Sequence, residues 1–199
     1  KIKIIAESSI HKFKAEDWNK CNNNGNVFLS YNFLKLLEDS KSIGGNTGWQ
    51  PVYFCLEVND KITAIVPSFI KYHSQGEFVF DHSWAQAYQS LGLNYYPKLL
   101  IASPFSPVTG KRILMAPNTN NTIKKELFNF IKDFCKEKKI SSIHINFIEK
   151  HELDFLKNEN FLIRYGEQFH FINNNYNTFE DFLSKLSYKI RKNINKERQ

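Results

Sequence analysis

Four ionisable side chains lie within ten residues of one another, namely His73, Glu77, Asp81 and His82. The sequence predicts a short strand at 76–80, where alternate side chains share a face, so Glu77 and Asp81 would point the same way. Either carboxylate could act as a general base if burial raises its pKa, and His82 is a third candidate. The alternative is structural: Asp81 caps the next helix, Glu77 is solvated and His82 is a buried histidine with satisfied hydrogen bonds.

Aromatic and cationic side chains follow these groups along the chain. Trp84, Tyr95 and Tyr96 are interpreted either as the lining of a substrate pocket or as core aromatics whose polar tips find partners. Lys98 and Arg112 flank a loop rich in Pro and Gly, and a cation beside such a loop favours an anion-binding site. The density of aromatic rings beside Lys98 favours a pocket for at least one or two of them.

The positive charge of the chain is concentrated at its C-terminal end. The net charge is +7 over 199 residues, of which residues 185–199 contribute +5. This distribution excludes a uniformly basic nucleic-acid-binding protein. Lys189 and Arg191 lie in the basic stretch, which is interpreted either as a solvated helix or as a surface that contacts tRNA phosphates or an anionic acceptor.

The cysteines and the hydropathy of the sequence indicate the cellular compartment and argue against a metal site and a membrane span. Cys21, Cys55 and Cys135 are far apart and form no metal-ligand pattern, so no metal is expected, and free thiols suit a reducing compartment. The apolar runs are too short to span a bilayer, and no signal peptide opens the chain. We therefore predict a cytoplasmic protein without a transmembrane segment.

The order of predicted elements indicates a layered α/β (α+β) fold. Hydrophobic periodicity predicts a hairpin at 51–74 with its turn at Asn59-Asp60, and helices whose N-caps are Ser30 and Thr178. Further strands are predicted at 1–8, 76–80, 95–105, 141–148 and 161–174, and helices at 8–21, 30–42, 83–92, 121–139, 149–160 and 178–199. This order fits the acyltransferase fold called GNAT, a mixed and mostly antiparallel sheet flanked by helices.

Four runs of sequence carry a family resemblance: "FLSYNFLKLLEDSKSIGGNTGWQPVYF" at 28–54, the run at 72–114 that contains "FDHSWAQAYQSLGLNYYPKLL", "EQFHFINNNYNTFEDFLSKL" at 167–186 and "KIRKNINKER" at 189–198. Together they resemble the FemAB-like family of predicted N-acyltransferases, a branch of the GNAT superfamily. Fem-type enzymes carry two GNAT-like halves. The resemblance therefore implies one such half at 1–177 and a basic helix at 178–199 that opens a second, truncated half.

The resemblance implies transfer of an acyl or aminoacyl group to an amine, with a role in cell-wall synthesis. Asp81, Glu77 or His82 would handle the proton. The acyl or acceptor site would be shaped by Trp84, Tyr95, Tyr96, Lys98 and Arg112, with His170, Lys189 and Arg191 facing the cleft between the halves. No tightly bound cofactor is expected.

The sequence leaves two questions open: which acyl donor is used, and whether the protein is an enzyme at all. Better-known Fem relatives use aminoacyl-tRNA and ordinary GNAT enzymes use acyl-CoA, yet the GNAT pyrophosphate-loop pattern is absent from this sequence. The alternative to an enzyme is a non-catalytic GNAT-like module that binds an anionic ligand or a nucleic acid such as tRNA.

Overall fold

Six strands form one mixed sheet in the part of the chain that the structure, a computed structural model, describes: residues 1–198. The strands are β1 (Ile2–Glu7), β2 (Trp49–Val58), β3 (Lys61–Lys71), β4 (Lys98–Ile101), β5 (Leu114–Met115) and β6 (Ile143–Ile145). Their order is β1-β2-β3-β4-β6, and β5 pairs with β3 beyond the end of β4. All pairings are antiparallel except that of β4 with β6. The predicted mixed, mostly antiparallel sheet is therefore confirmed.

Helices cover both faces of this sheet. One face packs against α1 (Ala15–Cys21) and α2 (Tyr31–Asp39), and the other against α4 (Ile123–Glu137) and α5 (Leu153–Asn158). The chain also forms α3 (His82–Ser90) and, after Phe161, α6 (Phe179–Ser184) and α7 (Tyr188–Glu197). Short 3-10 helices occupy Ile10–Lys12, Val27–Leu29 and Lys150–Glu152. No helix within residues 1–198 has the length and apolar character needed to cross a membrane.

The alternation of β2 and β3 divides the core into two layers. Tyr53 and Phe69 point towards α1 and α2, where Tyr53 also makes an edge contact with Trp18 at 5.2 Å between ring centroids. Phe54 and Val66 point the opposite way and pack in the cluster that contains α4 residues. Both strands are buried on both faces, which explains their long apolar runs.

The central hairpin has the predicted turn. Asn59 and Asp60 both have positive φ, 49° and 61°, which is what a type I′ turn requires of its two central residues. The turn matches the right-handed twist of β2 and β3 and sets the register of the first two residue pairs, after which a bulge between Leu56 and Glu57 shifts the register by one residue.

Ser30 caps α2 as predicted, because its Oγ accepts a hydrogen bond from the Phe33 N–H at 3.3 Å. Ser30→Ala is expected to lower the free energy of unfolding by about 1 kcal/mol, since one N–H at the helix start loses its acceptor. Ser40→Ala is the control, because Ser40 is exposed at the other end of the helix and its loss should cost less than about 0.5 kcal/mol. Urea denaturation of both variants measures the difference, and equal losses would contradict the capping role.

Two predicted strands are wrong. Residues 76–80 form no strand. A turn closed by the hydrogen bond from the Glu77 N–H to the Ser74 carbonyl at 3.3 Å, with Gly76 at φ +78°, carries Glu77 into the protein. Residues 161–174 have an alternating pattern, but no strand forms there, and Phe169 and Phe171 are exposed. An alternating sequence becomes a strand only where a neighbouring strand pairs with it and a core covers one face.

The chain divides between Phe161 and Leu162 into two compact units. The division into a GNAT-like half at 1–177 and the start of a second half at 178–199 stays a prediction. In the second unit the predicted helix at 178–199 is interrupted, because Ser187 has an extended backbone between α6 and α7. The predicted cap of α6 is confirmed: Thr178 Oγ1 accepts from the Asp181 N–H, and the Asp181 carboxylate accepts from the Thr178 N–H, both at 3.1 Å.

Candidate functional site

Two lysines lie directly opposite each other on neighbouring strands. Lys71 ends β3, Lys98 begins β4, and the two residues form a cross-strand pair. Each shares its strand face with core residues, Phe69 in β3 and Leu100 in β4, so both lysine side chains are fully buried. Like charges opposite each other in a sheet repel, and burial increases the cost. This arrangement requires carboxylates nearby.

The segment between β3 and α3 supplies the two carboxylates. Lys98 Nζ donates hydrogen bonds to Glu77 Oε2 and Ser74 Oγ, each at 2.9 Å, and to Asp81 Oδ2. The Glu77 and Asp81 side chains are 1% and 2% exposed. The turn that contains Gly76 makes this possible, because it folds the segment back over the start of β4, where Lys98 lies. Glu77, Asp81 and Lys98, which the sequence singled out, are therefore brought together.

Two tyrosines complete this lysine–carboxylate cluster. The Tyr95 hydroxyl donates to Asp81 Oδ2 at 2.7 Å, and the Tyr96 hydroxyl lies 2.8 Å from Ser74 Oγ. The Tyr95 ring also makes an edge contact with the ring of His144 on β6. Both tyrosines are thus buried or half-buried aromatics whose polar tips are satisfied, which is the structural alternative considered above.

Lys71 was not predicted as a site residue, although the sequence carries a signal for its burial. The alternation of β3 places residue 71 on the same face as Ile65 and Phe69, and a charged residue on a core face indicates a buried partner. Its Nζ lies 3.6 Å from the centroid of the Trp49 ring, donates to the Gln75 carbonyl at 3.2 Å and lies 3.9 Å from Glu77 Oε1. Burial lowers the pKa of Lys71 to about 7.

The electrostatics distinguish the two carboxylates. Burial raises the pKa of Glu77 above its ordinary value, although Lys98 opposes the change. Burial acts the same way on Asp81, but hydrogen bonds from Lys98, Ser74 and Tyr95 outweigh it and hold the pKa of Asp81 at about 2. A carboxylate with a raised pKa is the better proton acceptor near neutral pH, so Glu77 is the stronger candidate base.

Glu77 also lines a small cavity at the carboxyl ends of the parallel strands β4 and β6. A hydrogen bond from the Asn146 N–H to the Ile101 carbonyl at 3.0 Å joins the two segments where β4 and β6 end. Trp49, Ser103 and Phe147 also line the cavity, which has room for about one water molecule. Glu77 Oε1 makes no hydrogen bond to any described group, so it can accept one from a ligand there. Ligands in open α/β sheets bind outside the carboxyl ends of strands.

The other predicted residues of the first unit lie elsewhere. His82 is the first residue of α3 and is exposed, as is Trp84, half of whose surface is accessible. Asp81 occupies the N-cap position of α3, but its side chain makes no capping hydrogen bond because it turns towards Lys98. The interpretation of Asp81 as a simple cap is therefore wrong, and α3 directs His82 outwards.

Arg112 is buried away from Lys98. Its Nε donates to the Asn146 carbonyl at 2.8 Å and its Nη2 to the Val108 carbonyl at 2.5 Å. Burial lowers its pKa to about 10. The Glu152 carboxylate accepts from the N–H groups of Arg112 and Ile113. Arg112 thus ties the loop after β4 to the loop after β6, whereas the sequence predicted an anion-binding side chain.

Three predicted residues belong to the second unit. His170 is exposed and its Nε2 lies 3.2 Å from Gln168 Oε1. Lys189 is exposed and Arg191 is half-buried on α7. Their role in binding stays a prediction. Across residues 1–198, no group of three or more His, Cys, Asp or Glu side chains could hold a metal ion.

A model of a protein family described as peptidoglycan biosynthesis/recognition matches residues 9–199. The chain belongs to the FemAB-like family. A search of curated protein sequences found no match.

Solved structures agree with the GNAT topology. A ribosomal-protein-alanine N-acetyltransferase from Brucella melitensis biovar Abortus 2308 is 10% identical, with a TM-score of 0.51 over 86% of this chain and 99% of that one. Glucosamine-6-phosphate N-acetyltransferase from Arabidopsis thaliana is 12% identical, with a TM-score of 0.50 over 87% of this chain and 99% of the other. At these identities the likeness establishes the fold alone, so this FemAB-like chain has a GNAT fold.

Proposed function

We propose that this FemAB-like protein transfers an acyl or aminoacyl group to an amine, and that Glu77 accepts the proton that the amine loses. The observation that carries the proposal is the Glu77 carboxylate. It is buried, its pKa is raised, and its Oε1 is available in a cavity at the carboxyl ends of β4 and β6.

The proposed reaction needs little from the protein beyond positioning and one proton acceptor. The amine nitrogen attacks the carbonyl carbon of the donor, forming a C–N bond and a tetrahedral intermediate. Glu77 accepts a proton from the nitrogen. The C–S or C–O bond to the carrier then breaks, and the proton passes to the carrier's sulfur or oxygen. Cleavage regenerates the Glu77 carboxylate.

The buried cluster supports this assignment by holding Glu77 in one place. Lys98 binds Oε2, which directs Oε1 away from the lysine. Asp81 in turn holds Lys98, because Asp81 Oδ2 accepts a hydrogen bond from Lys98 Nζ. The Tyr95 hydroxyl donates to the same oxygen and so fixes Asp81. We therefore assign positioning roles to Asp81 and Lys98 and the proton transfer to Glu77.

We propose an amine of a peptidoglycan precursor as the acceptor, since the family is described as acting in peptidoglycan biosynthesis/recognition. The donor carries its acyl group as a thioester or an ester, and both are tested directly. Purified protein is incubated with acetyl-CoA or with aminoacyl-tRNA and a UDP-linked peptidoglycan precursor, and mass spectrometry identifies the acylated amine. The donor that gives product defines the carrier, and absence of product with both donors across neutral pH would contradict the proposal.

The rate should depend on the protonation of Glu77. The base acts only as a carboxylate, so activity is lost as the pH falls through the pKa of Glu77. Because burial raises that pKa, the acidic limb of kcat/KM should lie above about pH 4.3, the ordinary value for Glu. A pH–rate profile measures the limb. If His82→Gln moved or abolished the limb, His82 rather than Glu77 would be the proton acceptor.

A second candidate function, binding of an anionic ligand, rests on α7. Residues 189–198 contain five Lys or Arg and one Glu. We propose that Lys189 and Arg191 contact phosphates of such a ligand, with tRNA as the probe. Affinity should fall steeply as salt rises and should weaken in the Lys189→Ala/Arg191→Ala variant, as measured by fluorescence anisotropy. Equal binding by the variant would contradict this assignment.

A further inference from the structure

The second compact unit contains an open groove with aromatic walls. The groove has a volume of about 440 Å³, which is enough for a flat heterocyclic ring system. Four of the residues that line it are aromatic, and all of them belong to the second unit. The lining residues are Phe171, Asn173, Tyr176, Thr178, Phe179 and Phe182.

Phe182 holds the aromatic wall together. Its ring centroid lies 5.5 Å from that of Phe171 and 5.6 Å from that of Tyr176, both in edge contacts. The Phe179 ring lies 5.7 Å from Phe182, on the same side of α6. Phe171 nevertheless keeps 71% of its surface exposed. An exposed ring that is held by its neighbours offers a surface on which another flat ring can stack.

The basic helix α7 ends beside this groove. The guanidinium carbon of Arg198, the C-cap residue of α7, lies 4.1 Å from the centroid of the Phe179 ring. A guanidinium above a ring still carries N–H donors at its edges, and such donors bind phosphate. Residues 189–198 contain five Lys or Arg and one Glu, so the field at this end of the groove is positive.

The two features together select a ligand with two chemical parts. The aromatic wall favours a flat ring, and the cations favour an anion. An apolar side chain or an acyl chain would fill the groove but would leave the cations unused. A base joined to phosphate satisfies both, and proteins that bind single-stranded nucleic acids combine aromatic stacking with basic residues in the same way.

We propose that the groove of the second unit binds a nucleotide, whose base stacks on Phe171 and whose phosphate accepts hydrogen bonds from Arg198. This inference rests on the proposed binding of an anionic ligand by α7 and names the chemistry of that ligand. Free nucleotides and single-stranded RNA share this chemistry, and both are tested.

Phe171→Leu tests the base contact. Affinity for UDP or ADP should fall about 5- to 20-fold, because leucine keeps an apolar contact but has no flat face. Affinity for pyrophosphate, which has no base, should not change. Phe169→Leu is the matched control, because that exposed ring, two residues earlier, lies outside the groove wall formed by the described residues. Isothermal titration calorimetry of the full chain measures all three ligands, and equal nucleotide affinity in Phe171→Leu and the parent protein would overturn the proposal.

Arg198→Gln tests the phosphate contact. It should weaken UDP, ADP and pyrophosphate alike, because all three carry phosphate. Lys136→Gln is the control, since it removes the same charge from an exposed position on α4 and should leave the affinities unchanged. Unchanged binding of all three ligands by Arg198→Gln would refute the assigned phosphate contact.

A short single-stranded RNA distinguishes the two sources of the nucleotide. Tighter binding of RNA than of UDP and ADP, lost in Phe171→Leu, would assign the groove to a strand, and the reverse order would assign it to a free nucleotide. Either result supports the nucleotide site. Light scattering tests a different occupant: a dimer that Phe171→Leu dissociates would assign the groove to a second copy of the chain and overturn the proposal.

The nucleotide site and the function on which it rests can fail separately. Salt-dependent tRNA binding that weakens in Lys189→Ala/Arg191→Ala but not in Phe171→Leu would overturn the base site and leave anion binding by α7 standing. A preference for nucleotides over pyrophosphate that survives in Lys189→Ala/Arg191→Ala would remove those two residues from the phosphate site and preserve the nucleotide groove.

Discussion

Replacing Glu77 by Gln is expected to reduce kcat/KM by a factor of about 10²–10⁴, the usual contribution of a general base. The amide has nearly the same shape as the carboxylate, but it cannot accept a proton from the attacking amine. Steady-state rates at a pH above the acidic limb measure the loss.

Glu38→Gln provides the matched control for Glu77→Gln. The Glu38 carboxylate accepts hydrogen bonds from Ser9 Oγ at 2.6 Å, the Ile10 N–H at 2.8 Å and the Tyr53 hydroxyl at 2.8 Å, so it too is fixed in place by the fold. It does not line the cavity, and its replacement should cost stability without a comparable loss of rate. Equal losses of rate in the two variants would show that Glu77 supports the fold rather than the reaction.

Lys98→Met is expected to lower the free energy of unfolding by about 3–5 kcal/mol, the cost of leaving buried charges without a partner. Methionine fills a similar volume but donates nothing to Glu77, Asp81 or Ser74. Urea denaturation at neutral pH measures the change.

Lys132→Met is the control for Lys98→Met, because Lys132 also forms an ion pair, with Glu159 at 2.6 Å, but is 37% exposed. Its loss should cost about 1 kcal/mol or less. The pH provides a further check. Asp81 has a pKa of about 2 when folded and about 3.9 when unfolded, so its stabilisation is present above pH 4 and is lost as the pH falls towards 2. The two lysine variants should therefore converge in acid, and a gap that stayed constant would contradict the ion-pair explanation.

Local signals explain which elements could be predicted. The Asn59-Asp60 turn, the Ser30 cap and the stripe of α4 are each encoded by a few neighbouring residues, and each is present in the structure. The strands predicted at 76–80 and 161–174 failed because an alternating pattern specifies a face but no pairing partner.

The candidate site was predictable in part for the same reason. Spacing drew attention to Glu77, Asp81 and Lys98, but the choice among possible bases depends on burial and on hydrogen bonds made across the sheet. Lys71 and Lys98 are 27 residues apart in the sequence, and only the register of β3 and β4 places them opposite each other. Pairing of distant segments of this kind leaves little trace in a single sequence.

The contact between Lys71 and Trp49 has a practical consequence for spectroscopy. Trp49 is buried, lines the cavity and lies under the Lys71 ammonium, so its indole emission should respond when that lysine titrates near neutral pH or when the cavity is filled. Of the three tryptophans, Trp18 lies in the core beside Tyr53 and Trp84 is exposed on α3. A protein that retains only Trp49 would carry its own fluorescent probe, which could follow ligand entry in real time without a label or a known substrate.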